Sequence, residues 1–114
     1  MADPLDTNVI IRYLIQDPER ASDEFRGVFS FFEKLERGEV RALLPSLVLF
    51  QSYFVLTSYY EVPRKEAGSK LRDILSFRGV TVPEKAVLRA CLTTLTERSA
   101  DLVDAYLAAL CKGR

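Results

Sequence analysis

Acidic and amide side chains stand near both ends of this sequence, at positions where the fold could bring them into one site. Asp6 and Asn8 follow a very short predicted strand over residues 2–5, and ligands of open parallel sheets bind at the carboxyl ends of strands. Asp101 and Asp104 lie on one face of the last predicted helix. Carboxylates held close together repel one another, and a bound Mg²⁺ or Mn²⁺ would remove that repulsion. The same ion could activate water and stabilise a phosphate group during hydrolysis.

Each of these carboxylates also has a purely structural interpretation, which the spacing alone leaves open. Asp6 could cap the first helix, and Asp101 could complement the helix dipole near the start of the last one. Asp104 stands among apolar residues, where a buried carboxylate needs a partner, and Arg89 or Arg98 could serve as well as a metal ion.

The composition narrows the possible chemistry of this chain. The 114 residues include no His, which excludes His-based triads, His general bases and His metal ligands. Sixteen basic and sixteen acidic residues give zero net charge, which argues against a simple polybasic nucleic-acid binder. Cys91 and Cys111 are predicted to be core thiols. A length of 114 residues favours one domain. The sequence has no predicted membrane span and no signal-peptide pattern, so we expect the protein in the cytoplasm.

Strands and helices alternate along the sequence, which favours an α/β fold with helices on both faces of a parallel sheet of about three strands. Residues 47–60 are apolar nearly all round and are predicted to form a buried helix, in which Gln51 would be a satisfied polar group of the core. Ser46 and Ser99 are candidate N-caps. The other predicted elements are helices to Gln16, to residue 37, from Pro63, over 84–97 and over 101–111, and strands over 39–44 and 79–83.

Several segments together resemble the PIN domains of VapC-type toxins, and the resemblance extends over essentially the whole chain. The opening motif is the most specific of them. The segments are LDTNVIIRYL at residues 5–14, DPE at 17–19, GEV at 38–40, PSLVL at 45–49, YFVL at 53–56, VPR at 62–64 and DLVDAYLAA at 101–109. The resemblance implies a three-layer α/β/α fold and a Mg²⁺- or Mn²⁺-dependent ribonuclease that cleaves RNA. It also implies a homodimer that an antitoxin protein inhibits.

The resemblance also assigns roles to individual residues. Asp6 corresponds to the first acid of the metal site and Asp104 to the third, so both are expected to be catalytic, and Asp101 is a weaker metal ligand at the rim. Thr7 and Asn8 would shape the site through hydrogen bonds.

Arg12 lies one turn into the first helix. It would steer RNA or contact the antitoxin, and an ordinary surface role is equally compatible with the sequence. The aromatic-rich segment from Tyr53 to Tyr60 could stack bases, but packing in the core or at a dimer interface is the favoured interpretation, since Tyr is enriched at interfaces.

Two departures from the family pattern bear on activity. The family's second acid is a Glu in a pattern like Val-Leu-x-Glu, and this sequence has Gln51 there, which shapes the site with an oxygen but brings no charge. The final strand and the fourth acid of the family would follow Arg114. We therefore expect weak metal binding and impaired nuclease activity, and the alternative is a module that binds a partner or dimerises without catalysis.

Overall fold

Short strands and longer helices alternate along the chain in the computed structural model, which describes residues 3–15, 23–97 and 101–112. The elements, in chain order, are β1 (Asp3–Pro4), α1 (Thr7–Ile15), α2 (Asp23–Arg37), β2 (Ala42–Leu43), α3 (Ser46–Phe54), a π-helical turn (Val55–Tyr59), α4 (Arg64–Leu75), β3 (Val80–Thr81), α5 (Lys85–Glu97) and α6 (Leu102–Lys112). The predicted α/β class is confirmed.

The three strands form one parallel sheet in the order β1-β2-β3. Two further backbone hydrogen bonds continue the pairing past the strands, from Leu5 N–H to the Leu43 carbonyl at 2.7 Å and from Leu44 N–H to the Thr81 carbonyl at 2.8 Å. The carboxyl ends of the strands therefore meet at one edge, as predicted. The predicted strand over 39–44 is shorter than expected, since only Ala42–Leu43 pairs on both sides.

The core is built from the apolar faces of the helices, with α4 packed on α5, α5 on α6, and α1 on both α2 and α3. The three- and four-residue spacing of apolar residues predicts which positions of these helices face inward. On α2 and α4 the predicted positions that are buried are Phe32, Leu35, Ala67, Leu71, Ile74 and Leu75. The same spacing predicts that Ala86 and Ala90 face inward on α5, but both are exposed, because that helix buries a narrower stripe. The fully buried large side chains are Phe32, Ile10, Leu35, Leu44, Leu49, Leu56, Leu71, Ile74, Leu75, Leu88, Leu92 and Leu95.

Two glycines allow the connections that lead into β2 and β3. Gly38 ends α2 with φ of 82°, a left-handed conformation that suits glycine at a helix C-terminus. A side chain at Gly79 would overlap the carbonyl oxygen of Val40, so only glycine lets the chain before β3 pass so close to the chain before β2.

The segment over residues 46–60 differs from its prediction in two respects. Ser46 is not the N-cap of α3, because Pro45 occupies that position and the Ser46 hydroxyl instead donates to a Glu84 carboxylate oxygen at 3.3 Å. The segment is also not buried all round, since Leu47 and Tyr59 are both 77% exposed.

Some predictions lie outside the described part of the chain. They are the break at residues 17–19, the cap at Ser99, and the side chains of Phe25 and Cys111. Among the helices that are described, none combines the length and apolar character needed to cross a lipid bilayer.

Burial of the Cys91 thiol should lower the free energy of unfolding at alkaline pH. The thiol is fully buried, as predicted, and burial raises its pKa from 9.0 to about 11. The unfolded chain therefore loses this proton first, and stability that is complete below about pH 9 should fall by roughly 2–3 kcal/mol as the pH rises through 11. Chemical unfolding of the wild type and of Cys91→Ser over this range measures the effect. Equal slopes in the two proteins would contradict it, because serine does not titrate there.

Candidate functional site

Asp6 comes after Leu5, the residue that continues the β1 pairing, and caps helix α1. Its main-chain carbonyl accepts the N–H groups of Val9 and Ile10 at 3.1 and 3.2 Å, and its side-chain Oδ1 accepts the N–H of Asn8 at 3.0 Å. The capping interpretation is therefore confirmed. The side chain is exposed, and its Oδ2 atom has no hydrogen-bond partner among the residues that the structure describes. Capping thus leaves one carboxylate oxygen open to a ligand.

Thr7 and Gln51 join the start of α1 to the middle of α3. The Thr7 hydroxyl donates to Gln51 Oε1 at 3.1 Å. Gln51 is exposed, so its interpretation as a polar group inside the core is wrong. Its amide oxygen instead faces the start of α1, the same helix end that Asp6 caps.

These side chains line one depression of about 410 Å³ at the carboxyl edge of the sheet. Its polar wall consists of Asp6, Thr7, Asn8 and Gln51, and its apolar wall of Ile11, Val55, Tyr59 and Tyr60. We call this depression the Asp6 pocket. The structure therefore brings together four of the residues that sequence analysis singled out, from two segments far apart in the chain.

Three other predicted site residues do not line the Asp6 pocket. Arg12 is exposed on α1, and Asp101 and Asp104 are exposed at the start of α6. Because Asp104 is exposed, the expectation that burial forces it to take a partner is wrong. No ion pair joins it to Arg89, whose guanidinium donates to the Ser76 hydroxyl at 3.3 Å, and Arg98 lies outside the described residues.

Asp101 combines a structural role with an electrostatic one. Its carbonyl accepts the N–H of Ala105 at 2.9 Å, which starts α6. Burial raises the pKa of the Tyr53 phenol, Arg64 opposes that rise, and the Asp101 carboxylate adds to it. Asp101 therefore acts electrostatically on a buried side chain of α3.

Glu84 is a residue of this region that sequence analysis missed. It follows β3 and accepts hydrogen bonds from the Tyr106 hydroxyl at 2.8 and 3.1 Å and from the Ser46 hydroxyl. The bond to Glu84 raises the pKa of Tyr106. An acid directly after a predicted strand is the same signal that identified Asp6, so the sequence held a clue to it.

Helix α6 is held against α3 next to Gln51. The rings of Phe50 and Tyr106 meet edge to face with centroids 5.1 Å apart, and Glu84 anchors the Tyr106 hydroxyl. Helix α6, which carries Asp104 and follows Asp101 directly, therefore contacts the helix that carries Gln51.

The donor atoms of the Asp6 pocket suit a hard cation only weakly. They are oxygen atoms, as Mg²⁺ and Mn²⁺ prefer, but Asp6 is the single carboxylate among the described residues that line the pocket. Within the described parts of the chain, no three acidic, His or Cys side chains form a group that could hold a metal ion. Mg²⁺ is often bound by one or two carboxylates, several waters and a substrate phosphate. These residues therefore fit a weakly held, largely hydrated ion.

Comparison of the sequence with models of known protein families shows which family this chain belongs to. The family model described as the PIN domain matches residues 5–114. This chain belongs to the PIN domain family. A search of curated proteins found no match, and a search of solved structures found none either. PIN domains have a nuclease-like fold and generally depend on a divalent metal ion, which agrees with an acidic residue at the carboxyl edge of the sheet.

The two roles of Asp6 can be separated by mutation. Asp6→Ala removes the cap of α1 and should lower the free energy of unfolding by about 1 kcal/mol. Asp6→Asn keeps an oxygen that accepts the Asn8 N–H, so it should unfold within a few tenths of a kcal/mol of the wild type. Urea unfolding measures both, and an equal loss in the two variants would contradict the capping role.

Proposed function

We propose that this PIN domain is a metal-dependent endoribonuclease of the VapC toxin type, which hydrolyses RNA phosphodiesters in the cytoplasm. The observation that carries the proposal is the geometry of Asp6. Its carboxylate caps α1 through one oxygen and leaves the other open towards a pocket that Thr7, Asn8 and Gln51 also line. Hard divalent cations take carboxylate oxygens as ligands, so this open oxygen at the sheet edge is suited to hold one.

Asp6 and the Gln51 amide oxygen would hold Mg²⁺ or Mn²⁺, and Asp104 would add a second carboxylate. The bound ion would lower the pKa of a water molecule and stabilise the charge that develops on the phosphate. The attachment of α6 to α3 through Phe50 and Tyr106 supports the assignment of Asp104, because it fixes that helix beside Gln51. Asp101 would stand at the rim of the same site.

The remaining polar residues would position these ligands and the substrate. The Thr7 hydroxyl donates to Gln51 and so keeps its amide oxygen turned towards α1. The Asn8 backbone fixes the Asp6 carboxylate, and the Asn8 side-chain amide is suited to donate to a phosphate oxygen. Arg12 lies one turn further along α1, where its charge would attract the RNA backbone.

A second candidate function is a binding module without catalysis, and Gln51 favours it. An amide at this position brings no charge to the metal, and its oxygen already accepts a hydrogen bond from Thr7. The Asp6 pocket is thus stable without a cation. In that case the PIN domain would bind RNA, a protein or a second copy of itself.

Cleavage of RNA in Mn²⁺ or Mg²⁺ tests the nuclease. We expect slow cleavage that a chelator abolishes and that Asp6→Asn reduces by about 100-fold or more, because the open oxygen loses its charge.

Gln51→Glu should lower the metal concentration needed for half-maximal activity by about 10-fold or more, since it adds a carboxylate that can still accept the hydrogen bond from Thr7. Cleavage rates against metal concentration measure both effects.

The matched control is Asp73→Asn, an exposed acid on α4 that does not line the Asp6 pocket. It should cleave at the wild-type rate. If the wild type does not cleave and Gln51→Glu gains nothing, the binding module is the correct function. If Asp104→Asn retains full activity while Asp6→Asn loses it, Asp104 has no part in the site.

The resemblance to VapC-type toxins also implies protein partners, and we propose a homodimer that an antitoxin inhibits. Exposed apolar side chains support a protein interface. Leu47 on α3 is 77% exposed, and Val103 and Leu107 on α6 are 54% and 52% exposed. The two helices touch through Phe50 and Tyr106, so a second copy could cover both at once.

A charge in the proposed interface should break the dimer. Leu47→Glu should weaken self-association by about 10-fold or more, because the carboxylate would lose its hydration on assembly. Ile15→Glu is the control, since Ile15 is an exposed apolar residue of α1. Sedimentation equilibrium measures both. A monomeric wild type, or equal association of the two variants, would contradict the dimer.

A further inference from the structure

The apolar wall of the Asp6 pocket ends in two adjacent tyrosines. Tyr59 and Tyr60 are 77% and 42% exposed, and their rings meet at 72° with centroids 4.8 Å apart. An edge-to-face pair of this kind leaves ring surface uncovered. Both rings therefore present aromatic surface beside the open carboxylate oxygen of Asp6.

An uncommon backbone conformation holds these rings in place. The N–H of Tyr60 donates to the Val55 carbonyl at 3.2 Å, which closes a π-helical turn, and the N–H of Val62 donates to the Leu56 carbonyl at 2.9 Å. Leu56 is fully buried and anchors the turn in the core. Glu61 has φ of 56°, in the left-handed region that few residues other than glycine adopt. Single π-helical turns and left-handed residues are both frequent at functional sites.

We propose that Tyr59, supported by Tyr60, is a stacking platform for a nucleobase of single-stranded RNA, next to the phosphate that Asp6 would meet. This inference rests on the proposed nuclease function and names its substrate as unpaired RNA. Nucleobases stack on exposed aromatic rings with little regard to sequence. An unpaired strand is required, because bases within a duplex already stack on one another.

The pocket favours a base over an apolar protein side chain. Asp6, Thr7, Asn8 and Gln51 form its polar wall, and an apolar side chain would remove water from these groups without replacing their hydrogen bonds. A nucleotide brings donors and acceptors together with a flat aromatic face. Tyr59 also lines a second groove, whose mainly apolar lining includes Leu47, Phe50 and Phe54 and is better suited to protein.

A single tryptophan can report on the platform, because the chain contains no Trp. In Tyr59→Trp, a short single-stranded oligoribonucleotide added with a chelator should quench the emission as its base stacks on the indole. An abasic ribose-phosphate chain of the same length should quench much less. Ser30→Trp places the same reporter at an exposed position on α2, away from the pocket and the proposed dimer interface, and should respond to neither.

Binding affinity provides a second measurement. Tyr59→Leu should weaken binding of the oligoribonucleotide by about 5- to 100-fold, the factor expected for loss of one base–aromatic stack. Tyr59→Phe retains the ring and should bind within about 2-fold of the wild type. Neither change should alter the weak binding of the abasic chain.

Several results would overturn the platform. They are wild-type affinity in Tyr59→Leu, equal quenching of Tyr59→Trp by the abasic chain, and an emission that changes with protein concentration but not with RNA. The last would place Tyr59 in a contact between copies.

The platform and the nuclease can fail separately. Quenching without metal-dependent cleavage would support the platform and contradict the nuclease. Cleavage that depends on Asp6 but not on Tyr59 would support the nuclease and contradict the platform.

Discussion

The hydrogen bond between the Asp6 carboxylate and the Asn8 backbone is the constraint on which the site depends. Helix α1 starts at Thr7, two residues after Leu5, whose N–H makes the last hydrogen bond of the β1 pairing, so Asp6 alone separates strand from helix. The chain can turn this sharply because the cap satisfies an N–H that the helix cannot. The same bond fixes the carboxylate at the positive end of the helix, where an anionic oxygen is stabilised. Fold stability and the proposed chemistry thus depend on the same carboxylate: one oxygen caps the helix, and the other is open to a ligand.

Gln51 determines how this pocket behaves without a cation. A Glu at that position would set a second carboxylate near Asp6, and their repulsion would favour any bound divalent ion. The amide removes the repulsion and accepts the Thr7 hydroxyl instead. The polar wall is therefore satisfied by the protein alone, at the expense of attraction for metal. This exchange explains why one arrangement of residues supports both a weak nuclease and a binding module.

Local features of the site can be predicted from the sequence, and long-range ones cannot. The positions of Asp6 and Asn8 at the carboxyl edge of the sheet could be predicted because a strand end, a cap and a helix start are adjacent in the chain. The exposure of Tyr59 could not, because an apolar run gives no sign of a π-helical turn.

The long-range contacts show the same limit. Gln51 was placed in the site by family resemblance alone, since nothing in its own segment indicates Thr7 as its partner. Glu84 was missed because its role depends on Ser46 and Tyr106, which lie far from it along the chain.

Zero net charge gives the aromatic wall of the pocket added importance. Most nucleic-acid-binding proteins gain affinity by neutralising phosphates with Lys and Arg, and this contribution scales with the number of contacts. Sixteen acidic residues offset the sixteen basic ones here, so the whole molecule offers little general attraction for a polyanion. An RNA held by this PIN domain must then depend on short-range interactions at the site itself. Base stacking on Tyr59 and Tyr60 would be such an interaction, because it needs no charge on the protein. Stacking on these rings, together with a weakly held ion at Asp6, is therefore the physically consistent way for this surface to hold single-stranded RNA.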